Sequence, residues 1–161
     1  MASFKYIFGI DIAKNNFAIA SSFPEHYYIF DFQNKINIIK KLKQVVDNYI
    51  IQNNPVDQIF VKIENQLPLN TTCYTIQHIF ETILFMSEIK YQRINAESKY
   101  KIIKNLYGID KIIKRDLVNY IQIDKTLCTK YIVNEKLEFK QTTLIRKYDD
   151  VIDAKIIRDM S

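Results

Sequence analysis

Apolar residues run continuously in short stretches near the start of this chain and fall into helical spacing further on. Residues from about Phe4 to Ile12 are apolar and rich in β-branched and aromatic side chains. Phe17 to Ser22 and Tyr27 to Phe32 repeat the pattern after polar breaks at Lys14-Asn15-Asn16 and Phe23-Pro24-Glu25. Three strands in meander order are expected. From Lys35 onward Ile36, Ile38, Ile39, Leu42, Val45, Val46, Tyr49 and Ile50 recur at helical spacing until Asn53-Asn54-Pro55 stops them. A proline lacks the backbone N–H and clashes with the preceding turn, so the helix ends there.

A buried strand is expected at Gln58 to Ile63, then a loop carrying Pro68, then a helix from about Thr72 to Met86 with Thr71 or Thr72 as its cap. Ser87 to Ile94 returns to a strand. Glu97 to Leu106 and Lys111 to Tyr131 read as helices separated at Gly108, a natural C-terminal stop. Ile132 to Lys147 fits no pattern cleanly, and a last helix opens at Asp149 or Asp150. The order β-β-β-α-β-α-β-α predicts an α/β chain: a mixed five-stranded sheet flanked by helices, as in a ribonuclease H-like fold.

The chain has 161 residues, 48% of them hydrophobic, enough for one substantial core, and a single domain over residues 1–161 is expected. Lys and Arg number 23 against 18 acids, a formal charge of +5, which makes phosphate a plausible partner. Cys73 and Cys128 have no CxxC spacing, so neither a disulfide framework nor a zinc site is suggested, and a reducing compartment is expected. No apolar stretch approaches the roughly 20 residues that span a bilayer, and no leader pattern precedes the first strand, so a soluble intracellular chain is expected.

Four acids change this picture. Asp11 ends the run Tyr6-Ile7-Phe8-Gly9-Ile10, Glu64 ends Ile59-Phe60-Val61-Lys62-Ile63, and Asp150 and Asp153 stand three apart at the start of the last helix. A core has no use for carboxylates at the mouths of buried strands. Gathered into one cage, they would repel one another unless hard cations entered, and Mg²⁺ is the natural filling, with Mn²⁺ able to substitute. Two such ions roughly 3.5 to 4 Å apart would clamp the attacking and leaving oxygens of a phosphodiester. Each acid also has a plainer reading: Asp11 opening a turn, Glu64 capping a loop, Asp149 and Asp150 favouring a helix N-terminus.

Three segments resemble the acidic motifs of RuvC-type Holliday junction resolvases. They are Gly9-Ile10-Asp11-Ile12-Ala13-Lys14-Asn15-Asn16-Phe17-Ala18, Ile63-Glu64-Asn65-Gln66 and Lys147-Tyr148-Asp149-Asp150-Val151-Ile152-Asp153-Ala154. The likeness is greatest to the branch of poxviruses, large DNA viruses and yeast mitochondria, and it covers nearly the whole chain. It implies a RuvC-like fold and a Mg²⁺-dependent endonuclease resolving four-way and branched DNA junctions. In that reading Asp11, Glu64, Asp150 and Asp153 are the catalytic metal ligands. It also implies a homodimer paired through the helix carrying Tyr74, Ile76, Ile79, Phe80, Ile83 and Leu84, although the same residues would also simply pack on a sheet.

Phosphate-contact candidates are Lys14 near the acids, Gln66 beyond Glu64, and Lys99, Lys111, Lys114 and Arg115. The last three share one face of the expected helix at i, i+3 and i+4, and Lys114-Arg115 is similar to a basic cluster of the family. Leu67 and Leu69 could enter an opened junction, with core cover as the expected role. No small-molecule cofactor is implied, and His26 and His78 receive no role.

The sequence departs from the family at Ala13, where many members have glycine, at Asn65, where a basic residue is common, and in a short final helix. Two rivals stand beside the resolvase reading. The opening Gly9-Ile10-Asp11-Ile12-Ala13-Lys14-Asn15 also looks like a DEDD-type transposase or recombinase, and a non-catalytic DNA-junction binding module could share the fold.

Overall fold

The computed structural model describes residues 3–14, 16–95, 97, 101, 103–105, 108, 122–143, 145 and 148–160. Its centre is the expected meander: β1 (Tyr6–Ile12), β2 (Asn16–Ser22) and β3 (Glu25–Asp31) pair antiparallel in sequence order. β4 (Ile59–Glu64) joins β1 in parallel and β5 (Lys90–Ile94) joins β4 in parallel. Long apolar runs on β1 and β4 fit strands buried on both faces.

Among the described residues the sheet has seven strands, in the order β5-β4-β1-β2-β3-β6-β7, and not the five expected. β6 (Cys128–Val133) lies parallel to β3, and β7 (Phe139–Thr142) returns antiparallel to it. Of the helix expected over Lys111 to Tyr131, residues 111–121 lie outside the described residues, and residues 122–131 carry a 3-10 turn (Lys125–Leu127) and the start of β6 in place of a helix. Tyr131 and Phe139 instead stack around Phe30 and Tyr49, and this long-range aromatic packing decides the conformation where local periodicity had suggested a helix.

One face of the sheet carries α1 (Ile38–Val45), continued by a π-helical turn (Val46–Ile51), and α2 (Thr71–Met86). Phe8, Ile10, Phe17, Val61, Leu42 and Phe80 are buried between them. α1 begins at Ile38, two residues after the first apolar position of its pattern, because Asn34 accepts the Ile36 N–H at 2.9 Å and Asn37 takes a left-handed φ of 57°. α2 is capped by Asn70 without a side-chain bond, not by Thr71 or Thr72.

The other face receives α3 (Asp149–Asp159). Small residues make its seat: Gly9 on β1 is level with Ala20 on β2, and Ala18 and Ala20 pack on Val151 and Ala154. Lys62 Nζ donates to the Arg158 carbonyl at 2.9 Å and also to that of Met160, closing the C-terminal end of α3. A cation there also suits the helix dipole.

Candidate functional site

Strand alternation puts Gly9 and Asp11 on the α3 face of β1, while Phe8, Ile10 and Ile12 point into the core behind. Gly9 pairs with Lys62 in the parallel register, so the α3 face of β4 carries Lys62 and Glu64. Asp11 and Glu64 therefore end neighbouring parallel strands on the same side. α3 runs antiparallel to β1: its Ala154 and Arg158 lie over Gly9, and further back along the helix Asp150 accepts from Asn16 Nδ2 at 3.5 Å. The first turn of α3 thus meets the strand ends that carry Asp11 and Glu64.

Asp11 and Asp153 are buried, at 4% and 1% exposure, whereas Glu64 and Asp150 are half-buried. Cys73, in the first turn of α2, reports the charge between them. Burial pushes its thiol pKa up, a hydrogen bond with Asn70 pulls it down, and the charges of Asp11 and Asp150 add to the rise. One sulfur therefore feels carboxylates from both β1 and α3. Asp149 joins Asp150 in the first turn of α3.

Among the described residues no three His, Cys, Asp or Glu side chains stand together as a ready-made metal site. The donor set still suits a hard divalent ion, since all four groups offer oxygen. Mg²⁺ commonly takes only one or two carboxylates and completes its shell with water and substrate phosphate, so an all-protein cage is not the geometry it needs.

The strand end at Glu64 is braced by a polar network that sequence reading missed. Gln66 N–H donates to Gln77 Oε1 at 2.7 Å, and Gln66 Nε2 donates to the Glu64 carbonyl at 3.1 Å. Gln77 Nε2 reaches Asn65 Oδ1 at 3.2 Å and Glu81 Oε2 at 3.4 Å. Arg93 on β5 then grips Glu81 with two bonds of 2.7 and 2.6 Å. The available signal was Gln77 and Glu81 four apart on the buried stripe of α2, polar where apolar residues belong. Gln66 itself is thus engaged with backbone, in a position one residue removed from Asn65.

Lys14 is exposed in the β1–β2 turn, beside the acid edge. Lys99, Lys111, Lys114 and Arg115 lie outside the described residues. Leu67 and Leu69 are 68% and 94% exposed, which corrects their expected role as core cover: the loop after β4 carries them away from α2. Ile76, Phe80, Ile83 and Leu84 are buried, as packing on a sheet requires, while Phe85 and Met86 at the end of α2 are exposed.

No protein-family model matches this chain, and no curated protein matches it in sequence. Among solved structures, RuvC from Thermus thermophilus aligns over 95% of this chain and 90% of its own, with a TM-score of 0.51 and 11% identity. The fold is RuvC-like. At that identity the likeness is one of architecture alone, a mixed sheet flanked by helices as in ribonuclease H-like folds, and it supports no particular branch. In the RuvC-like frame, β1, β4 and α3 are the elements that carry Asp11, Glu64 and the Asp150–Asp153 pair. No described helix is long and apolar enough to cross a membrane.

Proposed function

We propose that this chain is a Mg²⁺-dependent, structure-selective endonuclease that cuts branched DNA, four-way junctions foremost. The observation that carries this reading is the meeting of Asp11 and Glu64, at adjacent strand ends on one sheet face, with the first turn of α3. Proteins of this architecture host many activities, so the site and not the fold must support the chemistry. Buried and half-buried carboxylates drawn from distant parts of the chain to one edge are expensive to assemble without a cation and natural with one.

Asp11, Glu64, Asp150 and Asp153 would hold a pair of divalent ions, one or two carboxylates to each, and such ions would supply charge neutralisation at the scissile phosphate and orient water for in-line attack. Asp11 and Asp153, the more buried pair, fix the floor of the site. Glu64 and Asp150 face solvent enough to meet the substrate. Asn16 steadies Asp150, and Gln66 ties the backbone after Glu64 to α2. Lys14, Gln66, Lys99, Lys111, Lys114 and Arg115 are the proposed DNA contacts, phosphate binding by the basic ones giving most of the affinity. A homodimer would bring two sites to the two strands of a symmetric junction and would cover Phe85 and Met86, exposed at 75% and 78%.

Glu64→Gln and Asp150→Asn test the reading. Each is expected to abolish cleavage of a four-way junction while binding persists. Normal cutting by either variant overturns it, and binding without cutting or metal dependence in the unaltered protein would mark a non-catalytic junction-binding module instead.

A further inference from the structure

A cavity of about 290 Å³ opens beside the acid edge, between the β1–β2 turn, the loop from β3 to α1 and the first turn of α2. We infer that it receives one unpaired nucleotide of the DNA substrate, the base inside and its phosphate against Lys14 and Lys35. The inference rests on the nuclease reading and deepens it, because it names how branched DNA is told from continuous duplex.

Ile12, Phe17, Phe32 and Ile76 give the cavity an apolar interior. Lys14 and Lys35 stand at its rim, both exposed, and neither forms an ion pair among the described residues. An apolar recess with cationic rim groups matches a flat aromatic ring joined to a phosphate. Its volume lies near the lower end of ligand pockets, roughly 300 Å³, which suits one nucleotide and not a stacked pair. Asn16 links it to the acids, since it lines the cavity and donates to Asp150.

The wall is built, not incidental. Lys41 of α1 is fully buried, and its ammonium donates to the Phe32 carbonyl at 2.7 Å, the Asn34 carbonyl at 3.3 Å and Asn34 Oδ1 at 3.4 Å. Gln33 is held at a left-handed φ of 62° with its N–H on Asp31 Oδ1. A buried charge is costly, and this one is compensated by fixing the loop that shapes the rim. A base paired inside a duplex cannot enter a recess of this kind. An unpaired base enters at little cost, and a base pair at a branch point, short of a stacking neighbour, opens more readily than one inside a duplex, so a branch point is the favoured substrate.

The test is fluorescence anisotropy in EDTA, where no cutting is expected, with a DNA junction carrying one unpaired nucleotide at the branch. Replacing that nucleotide by an abasic sugar is expected to weaken binding of the unaltered protein about tenfold. Thr72→Phe, which fills the mouth of the cavity, is expected to bind the intact junction as weakly as the unaltered protein binds the abasic one. The abasic change should then add less than twofold. If the unaltered protein prefers junction over linear duplex yet binds intact and abasic forms equally, the cavity is not a nucleotide site and the nuclease reading stands. If it shows no preference for the junction, both fall. The abasic comparison needs no variant, so a Thr72→Phe protein that fails to fold leaves it decisive.

Discussion

A methyl group on Gly9 would lie 2.0 Å from the carbonyl oxygen of Ala154, so the backbones of β1 and α3 touch at this point. Only glycine permits that approach, and it is the approach that brings Asp150 and Asp153 to the strand ends two residues beyond. Gly9→Ala is expected to lower unfolding stability by about 1 to 3 kcal/mol, the usual cost of overpacking. It should reduce junction cleavage further than that loss of folded protein explains. An unchanged denaturation midpoint would show that α3 does not rest on β1 so closely.

The bidentate grip of Arg93 on the buried Glu81 predicts a different signature. Arg93→Met leaves Glu81 without its principal partner and should cost about 1 to 3 kcal/mol, with Arg93 itself half exposed and the loss moderated by water. Because the network ends on the backbone at Asn65 and Gln66, turnover should fall more than junction affinity. Equal losses of both would reduce the network to ordinary fold support.

Much of this was legible in the chain. β1 to β4 and α2 announced themselves because their apolar runs are long and their breaks are polar or proline, and Asp11 and Glu64 stood out because acids do not end buried strands without cause. β6 and β7 were not legible. Cys128–Val133 is half-buried throughout save Val133, and Phe139–Thr142 has only four residues, so pairing with distant β3 and the aromatic stack at Phe30 decide their state. The late start of α1 comes from Asn34 and the left-handed Asn37, and the preceding loop is held by the buried Lys41, a lysine that composition alone assigns to the surface. Asn16 and Cys73 became part of the site only once the fold set them beside Asp150 and Asp11.

Burial pushes the Cys128 thiol up to about 11, Asp124 adding to the rise and Lys125 opposing it. The thiolate is the reactive form, so alkylation of Cys128 by iodoacetamide at pH 8 should be about a hundredfold slower in the folded than in the unfolded chain. Its rate should climb about tenfold per pH unit until pH approaches the raised pKa. Rapid alkylation at neutral pH would contradict the burial and reopen a nucleophilic role for this residue.

Lys114→Ala combined with Arg115→Ala is expected to weaken junction binding and to lower the slope of log affinity against log salt by about two. A titration of salt by anisotropy reads this directly. An unchanged slope removes the pair from the DNA interface.

Cleavage of a synthetic four-way junction beside a linear duplex of the same sequence, with and without Mg²⁺, bears most directly on the carboxylates of β1, β4 and α3. Paired nicks confined to the junction, present with Mg²⁺ and absent under EDTA, are the expected result. Equal treatment of both DNAs, or nicking that is indifferent to the metal, would contradict a junction nuclease built on Asp11, Glu64, Asp150 and Asp153.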